Sequence, residues 1–201
     1  MSELERWEER FSGPEYLFGT EPNEFLRAQA HLLPSHGTAL AVADGEGRNG
    51  VWLAERGLDV LSVDFSPKAL AKAQALAQAR GVPLRAERVD LFTWTWPAAA
   101  FDVVAAIFIQ FASPEQRKSI FAGIRQALKP GGLLLLQGYR PEQLAYKTGG
   151  PSQVENLYTR AMLEEAFAGF ADLQILEHDS MTREGAGHSG MAALIDLVGR
   201  K

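Results

Sequence analysis

Hydrophobic and polar positions along the 201-residue chain alternate between two rhythms. Short apolar runs of the kind a strand needs are followed by longer runs with helical spacing. "TALAVA" (38–43) predicts a first strand, and "RNGVWLAERG" (48–57) a helix stopped by a glycine. "DVLSVD" (59–64) predicts a second strand. "SPKALAKAQALAQARG" (66–81) predicts a helix capped by Ser66, with Pro67 in its first turn and Gly81 at its end. "LRAERVD" (84–90) alternates like a strand at or near an edge, whereas "FDVVAAIF" (101–108) is apolar enough for a central parallel strand. Ser113 and Gln116 form a capping-box pattern ahead of a helix to residue 128, and "GLLLLQGY" (132–139) is a fifth strand. "ADLQILEHDSMTRE" and "GMAALIDLVGRK" predict a long terminal hairpin across "GAGHSG". Strand–helix alternation of this kind implies an α/β, doubly wound, mostly parallel sheet with right-handed crossovers.

Two segments break the rhythm: "WEERFSGPEYLFGTEPNEFL" (7–26) and "YRPEQLAYKTGGP" (139–151). Both are rich in aromatic residues, Gly and Pro. The second begins at the carboxyl end of the fifth strand, where open α/β sheets bind ligands. Either a lid or a cover for the edge of the core fits this composition.

Composition narrows the function. Hydrophobic residues make up 46% and charged residues 22%, which suits a single globular domain. The formal net charge of -5 and the lack of a Lys/Arg run argue against a nucleic-acid partner. With no cysteine there is no disulfide, thiolate metal site or cysteine nucleophile. His31, His36 and His178 lack metal-ligand spacing, so no metal is expected. The N-terminus has no apolar signal core, and the apolar runs are too short to span a bilayer. A cytoplasmic protein without membrane association is the expectation.

The chemistry centres on "AVADGEGRNG" (41–50), a glycine turn between the first strand and the helix after it. Such a turn brings backbone N–H groups close to a ligand at a helix N-terminus, although a tight turn without ligand reads the same way. Asp64 ends the second strand, where a carboxylate can accept both ribose hydroxyls of an adenosine; a helix-capping or solvated Asp is the alternative. Asp90 follows the third strand, placed either to accept from an adenine amino group or to sit in an exposed turn. "LKPGG" (128–132) punctuates the last helix and strand.

Together the glycine turn, Asp64, Asp90, "FDVVAAIF", "LKPGG" and the final hairpin resemble the class I S-adenosylmethionine-dependent methyltransferases. "GEGRN", "GAGHSG" and the two irregular segments look like a small bacterial group similar to the tellurite-resistance and thiopurine methyltransferases. The resemblance implies a seven-stranded Rossmann-like sheet in one domain. Residues 1–35 would form a helical lid, 36–138 the cofactor core, and 139–201 a lid loop, helix and hairpin. It implies S-adenosylmethionine as cofactor and S-adenosylhomocysteine as product. Cofactor contacts are expected from Trp7, Tyr16, Asp44, Gly45, Glu46, Gly47, Asn49, Asp64, Phe65, Ser66, Asp90, Leu91, Ile107 and Phe108. Trp7, Phe11, Tyr16 and Gly19 are the candidates for closure over the site. The usual motif has an acidic residue two positions before its first glycine, but here those positions hold Ala41 and Ala43. Asp44 is the substitute expected to meet the cofactor's ammonium group.

Methyl transfer from a sulfonium needs alignment first, and a base only where the nucleophile carries a proton that must leave. Tyr16, Tyr139, Tyr146 and His188 are candidate bases, His188 reading more readily as a solvated loop residue between glycines. The chain leaves little room for a substrate domain, so the expected acceptor is a thiol, a chalcogen oxyanion or another small metabolite, and the expected state a monomer. A protein that binds the cofactor without turnover is the alternative. An NAD-dependent oxidoreductase shares the glycine turn but lacks support from a Tyr-x-x-x-Lys pair.

Overall fold

The structure, a computed structural model, describes residues 2–201. Two short helices, α1 (Glu3–Arg10) and α2 (Glu24–Ala28), precede the sheet. Then follow β1 (Thr38–Val42), α3 (Arg48–Glu55), β2 (Asp59–Asp64), α4 (Pro67–Arg80) and β3 (Arg85–Arg88). The second half comprises β4 (Phe101–Ile107), α5 (Pro114–Ala127), β5 (Leu128–Tyr139), α6 (Gln143–Tyr146) and α7 (Arg160–Ala166). The hairpin β6 (Ala171–Glu184) and β7 (His188–Arg200) ends the chain.

The seven strands lie in the order β3-β2-β1-β4-β5-β7-β6. β1 to β5 pair in parallel; β7 runs antiparallel to β5, and β6 to β7. The order reverses between β1 and β4, so a crevice opens at their carboxyl ends.

Strand residues alternate between two apolar layers. Leu40, Val104 and Leu134 face Ile120 and Ile124 of α5 and Phe167 beyond α7. Ala39, Val103 and Leu133 face Phe25 and Leu26 of α2 and Leu53 of α3. Burial on both faces explains why these strands read as continuous apolar runs. The caps form as their sequences predict: Ser66 Oγ accepts from Ala69 N–H at 3.1 Å, and Ser113 and Gln116 complete a capping box.

The start of β5 differs. "LKPGG" is not a turn ahead of β5 but its irregular first part. Leu128 pairs with Phe101, then the register shifts and Val103 pairs with Leu133. Gly131 takes a left-handed φ of 77°, and its N–H donates to Lys201 O at 2.7 Å. Contact with the C-terminus of β7, invisible in local sequence, keeps the strand going. Among the described residues no helix is long and apolar enough to cross a membrane.

Candidate functional site

β1 and β4 both end in backbone that bends sharply away from the sheet. Ala43 has φ 47° and Phe108 φ 56°, left-handed values that cost a non-glycine residue about 1–2 kcal/mol. Ala43 thus takes a glycine-like conformation at a position where the resemblance expects glycine. The two bends leave a cavity of about 270 Å³ over the crevice. It is lined from the turn by Asp44, Gly45, Arg48 and Asn49, and from the end of β2 by Asp64 and Phe65. Asp90, Leu91 and Phe92 line it after β3, Ile107 and Phe108 at the end of β4, and Trp7, Phe11 and Phe18 from the N-terminal segment. A second, more open chamber of about 690 Å³ adjoins it. Trp7, Phe18, Phe108, Phe111 and His188 line both.

The carboxylates at the turn are already tied to backbone. Asp64 Oδ2 accepts from Gly45 N–H and Oδ1 from Ser66 N–H, both at 2.9 Å. This pins the turn to the end of β2. Each oxygen keeps a further lone pair for a ligand hydroxyl. Burial raises the Asp64 carboxyl against those two bonds. Asp44 accepts from Gly50 N–H at 3.0 Å and Ser62 Oγ at 2.8 Å, beneath the start of α3. Burial pushes it up to about 7, more than those bonds and Arg48 offset. Asp90 is exposed, and its Oδ1 accepts from Phe92 N–H at 3.0 Å.

Ten of the residues expected at the cofactor line the inner chamber: Trp7, Asp44, Gly45, Asn49, Asp64, Phe65, Asp90, Leu91, Ile107 and Phe108. Four do not. Tyr16 turns to α4 and its hydroxyl donates to Lys72 O at 3.0 Å. Glu46 is buried, paired with Lys72 Nζ at 2.7 Å, and accepts from Leu17 N–H at 2.7 Å, so it anchors the N-terminal segment. At Gly47 a Cβ would strike Ala73, so the second glycine serves close packing of α3 on α4. Ser66 Oγ, besides capping α4, donates to Glu8 of α1.

Of the candidate bases, Tyr146 lies away from both chambers, and its hydroxyl donates to Asp179 Oδ2 at 2.8 Å. Tyr139 lines the outer chamber, and burial holds its phenol well above the usual range. The solvated reading of His188 is corrected. It is the first residue of β7 and only 9% exposed. The glycines around it make room for the N-terminal segment. A Cβ at Gly187 would collide with the Phe18 ring, and one at Gly185 would lie 2.5 Å from Leu17 O. Gly187 N–H donates to Leu17 O at 2.9 Å.

Arg48, Phe18, Phe92 and Phe111 line the cavity without having been singled out from sequence. Arg48 stood next to the second glycine, a signal that could have found it. Its Nη2 pairs with Glu184 Oε2 at 2.7 Å, while its Nη1 is buried with no hydrogen-bond partner among the described residues. Phe18 and Phe111 reach the site only through folding of irregular segments.

Residues 39–132 match a family described as a methyltransferase domain. A demethylmenaquinone methyltransferase of Thermus thermophilus is 33% identical over 104 residues, covering 51% of this chain and 47% of the relative. The chain spans about half the length of the curated relatives it first matches. An S-adenosylmethionine-dependent methyltransferase of Methanosarcina mazei superposes with a TM-score of 0.68 at 15% identity, over 89% of this chain and 98% of that one. The [4+2]-cyclase SpnF superposes with a TM-score of 0.71 at 19% identity, over 98% and 92%. At such identities the structural likeness shows the fold alone, and it agrees with the domain match. Residues 39–132 thus carry a segment similar to a methyltransferase domain, and the chain as a whole shares the fold of S-adenosylmethionine-dependent methyltransferases.

Proposed function

We propose that the protein transfers a methyl group from S-adenosylmethionine to a small acceptor by in-line displacement. The observation that carries this is the inner chamber at the carboxyl ends of β1, β2 and β4, built from the Gly45 turn, Asp64 and Asp90. The residues fit the cofactor. Asp64 would accept the ribose hydroxyls, and Asp90 the adenine amino group, with Phe65 and Leu91 against the base. Asp44 would face the ammonium group, and the orphaned Arg48 Nη1 suits the carboxylate of the same methionine end. The bound cofactor supplies an activated methyl whose leaving group is a neutral thioether. Trp7 and its aromatic neighbours would face the sulfonium, a contact worth about 0.5–2 kcal/mol.

The outer chamber is the acceptor's place in this reading. It is lined by Arg10, Gln110, Tyr139, Gln153 and Asn156. A thiol, a chalcogen oxyanion or another small metabolite would enter there, and residues 7–20 and 139–150 would close over it. Calorimetry with S-adenosylhomocysteine, with NADH as the contrast, tests the cofactor. Product mass from labelled methyl donor and a panel of small acceptors tests the transfer. Binding of NADH in place of S-adenosylhomocysteine would defeat the reading. A fold shared with SpnF, which is described as a cyclase, favours one second reading: the cofactor is bound and no methyl moves. Binding without any methylated product would select it.

A further inference from the structure

Neither His188 nor the carboxylate behind it is assigned a contact with the cofactor in the reading above. The imidazole lies where the two chambers meet. Ring centroids of Phe108, Phe18 and Tyr139 are 4.4, 4.5 and 5.9 Å from its own. Its Nδ1 is buried without a hydrogen-bond partner among the described residues and lies 3.7 Å from Glu184 Oε2. Glu184 cannot swing away. Its Oε2 holds Arg48 Nη2 at 2.7 Å, and its Oε1 accepts from Asn23 Nδ2 and Glu24 N–H, both at 3.0 Å.

We propose that His188 is the general base of the transfer, with Glu184 as its positioning residue, and that the acceptor is a protonated nucleophile: a thiol, amine or hydroxyl. This rests on the reading of the two chambers as cofactor and acceptor sites. A carboxylate opposite Nδ1 selects the tautomer with its proton there, which leaves the Nε2 lone pair for the cavity. A separation of 3.7 Å is longer than a hydrogen bond, but such contacts tighten when substrate fills a site. The ionisable groups facing the ring are Glu184 on β6, Arg48 on α3, Arg10 on α1 and Tyr139 on β5. Burial pushes the imidazole down. Glu184 pulls it up, and the two guanidinium groups push it down again, so it stays neutral at neutral pH. A histidine needed only for packing among aromatics would not require a fixed carboxylate at its back.

In the step, the acceptor's lone pair forms a bond to the methyl carbon. The pair of the breaking carbon–sulfur bond stays on sulfur. The acceptor's proton passes to Nε2, and the imidazolium is held by Glu184 until the proton leaves through the outer chamber. An acceptor that is already an anion needs none of this.

The test uses the whole chain with 2-mercaptoethanol, catechol and histamine as protic acceptors and thiosulfate as the control without a proton to lose. His188→Gln should lose about 100-fold or more in kcat on a protic acceptor while S-adenosylhomocysteine binding stays unchanged. Glu184→Gln would strand Arg48, so Glu184→Asp is the second variant; it should displace the pH limb of the rate rather than abolish turnover. Independently of turnover, nitrogen-15 NMR should show His188 neutral at neutral pH with its proton on Nδ1. A proton on Nε2, or methylation of a protic acceptor undiminished in His188→Gln, overturns the proposal. So does a wild type that binds S-adenosylhomocysteine yet methylates only thiosulfate, or nothing. Failure to bind S-adenosylhomocysteine at all overturns the cofactor reading first, and the base with it.

Discussion

Asp44 accepts bonds from Gly50 and Ser62 beneath the glycine turn, and its carboxyl lies at about 7 rather than its ordinary 3.8. Between those values the native state holds a proton that the unfolded chain does not. Stability therefore falls as pH rises through this window and is level above it. Asp44→Asn lacks the titration, so in urea unfolding it should gain on wild type between about pH 4 and about pH 7 and hold a constant gap above that. A gap that does not change with pH would mean that Asp44 is ionised throughout. Glu184 is the opposite case. Burial raises it, but His188, Arg48 and the Glu24 N–H outweigh that and hold it at about 2. Its contribution is complete above the ordinary 4.5 and is lost as pH falls toward 2. For Asp64, replacement by Ala should weaken S-adenosylhomocysteine by about 1.5–3 kcal/mol, the range for a charged hydrogen bond. Calorimetry on folded variant decides, and unchanged affinity would remove Asp64 from the cofactor's contacts.

At the scale of elements, α1 is held lightly. It buries none of its own residues; Phe11, just past its end, is the buried anchor. Glu8 receives bonds from Ser66 Oγ and Lys68 N–H at the start of α4, and Trp7 stacks on Phe11 at 5.3 Å. These few contacts suit a cover that opens. Segments 7–20 and 139–150 should exchange amide hydrogens faster in the free protein and become protected when cofactor and acceptor are both present. Equal protection in all states would make them fixed packing. Both tips that the cover meets were legible as glycine-rich loops. Which residues they admit was not, because Phe18 meets Gly187 across more than 160 positions of sequence.

For the whole molecule, the sheet fixes where chemistry can occur. The switch between β1 and β4 opens the crevice, and α5 must lie close over the other side of the sheet. Gly123 of α5 makes room for the Trp96 ring from the loop between β3 and β4, since a Cβ there would run into it. Gly123→Ala should cost about 1–3 kcal/mol by overpacking, read by urea unfolding, with cofactor affinity retained in the folded fraction. A variant as stable as wild type would show that Trp96 can move aside freely.

The sequence by itself determined the strands, the helices α3, α4 and α5 with the caps of the latter two, the sheet class, and a turn-and-carboxylate pattern that resembles the methyltransferases'. These follow from local period, from the residues that can cap or turn, and from burial on both faces of the sheet. Tertiary structure decided what each polar residue of the pattern does. Glu46 and Ser66 are used to fasten the N-terminal segment, Gly47 to seat one helix on another, and Asp64 to hold the turn as well as face the cavity. It also took His188 out of an apparent loop and buried it against Glu184, Phe18 and Phe108. The physical reason is range. A cap or a turn is settled within a few residues, whereas burial, and with it the protonation of His188, depends on chain arriving from residues 18, 48, 108 and 184 at once.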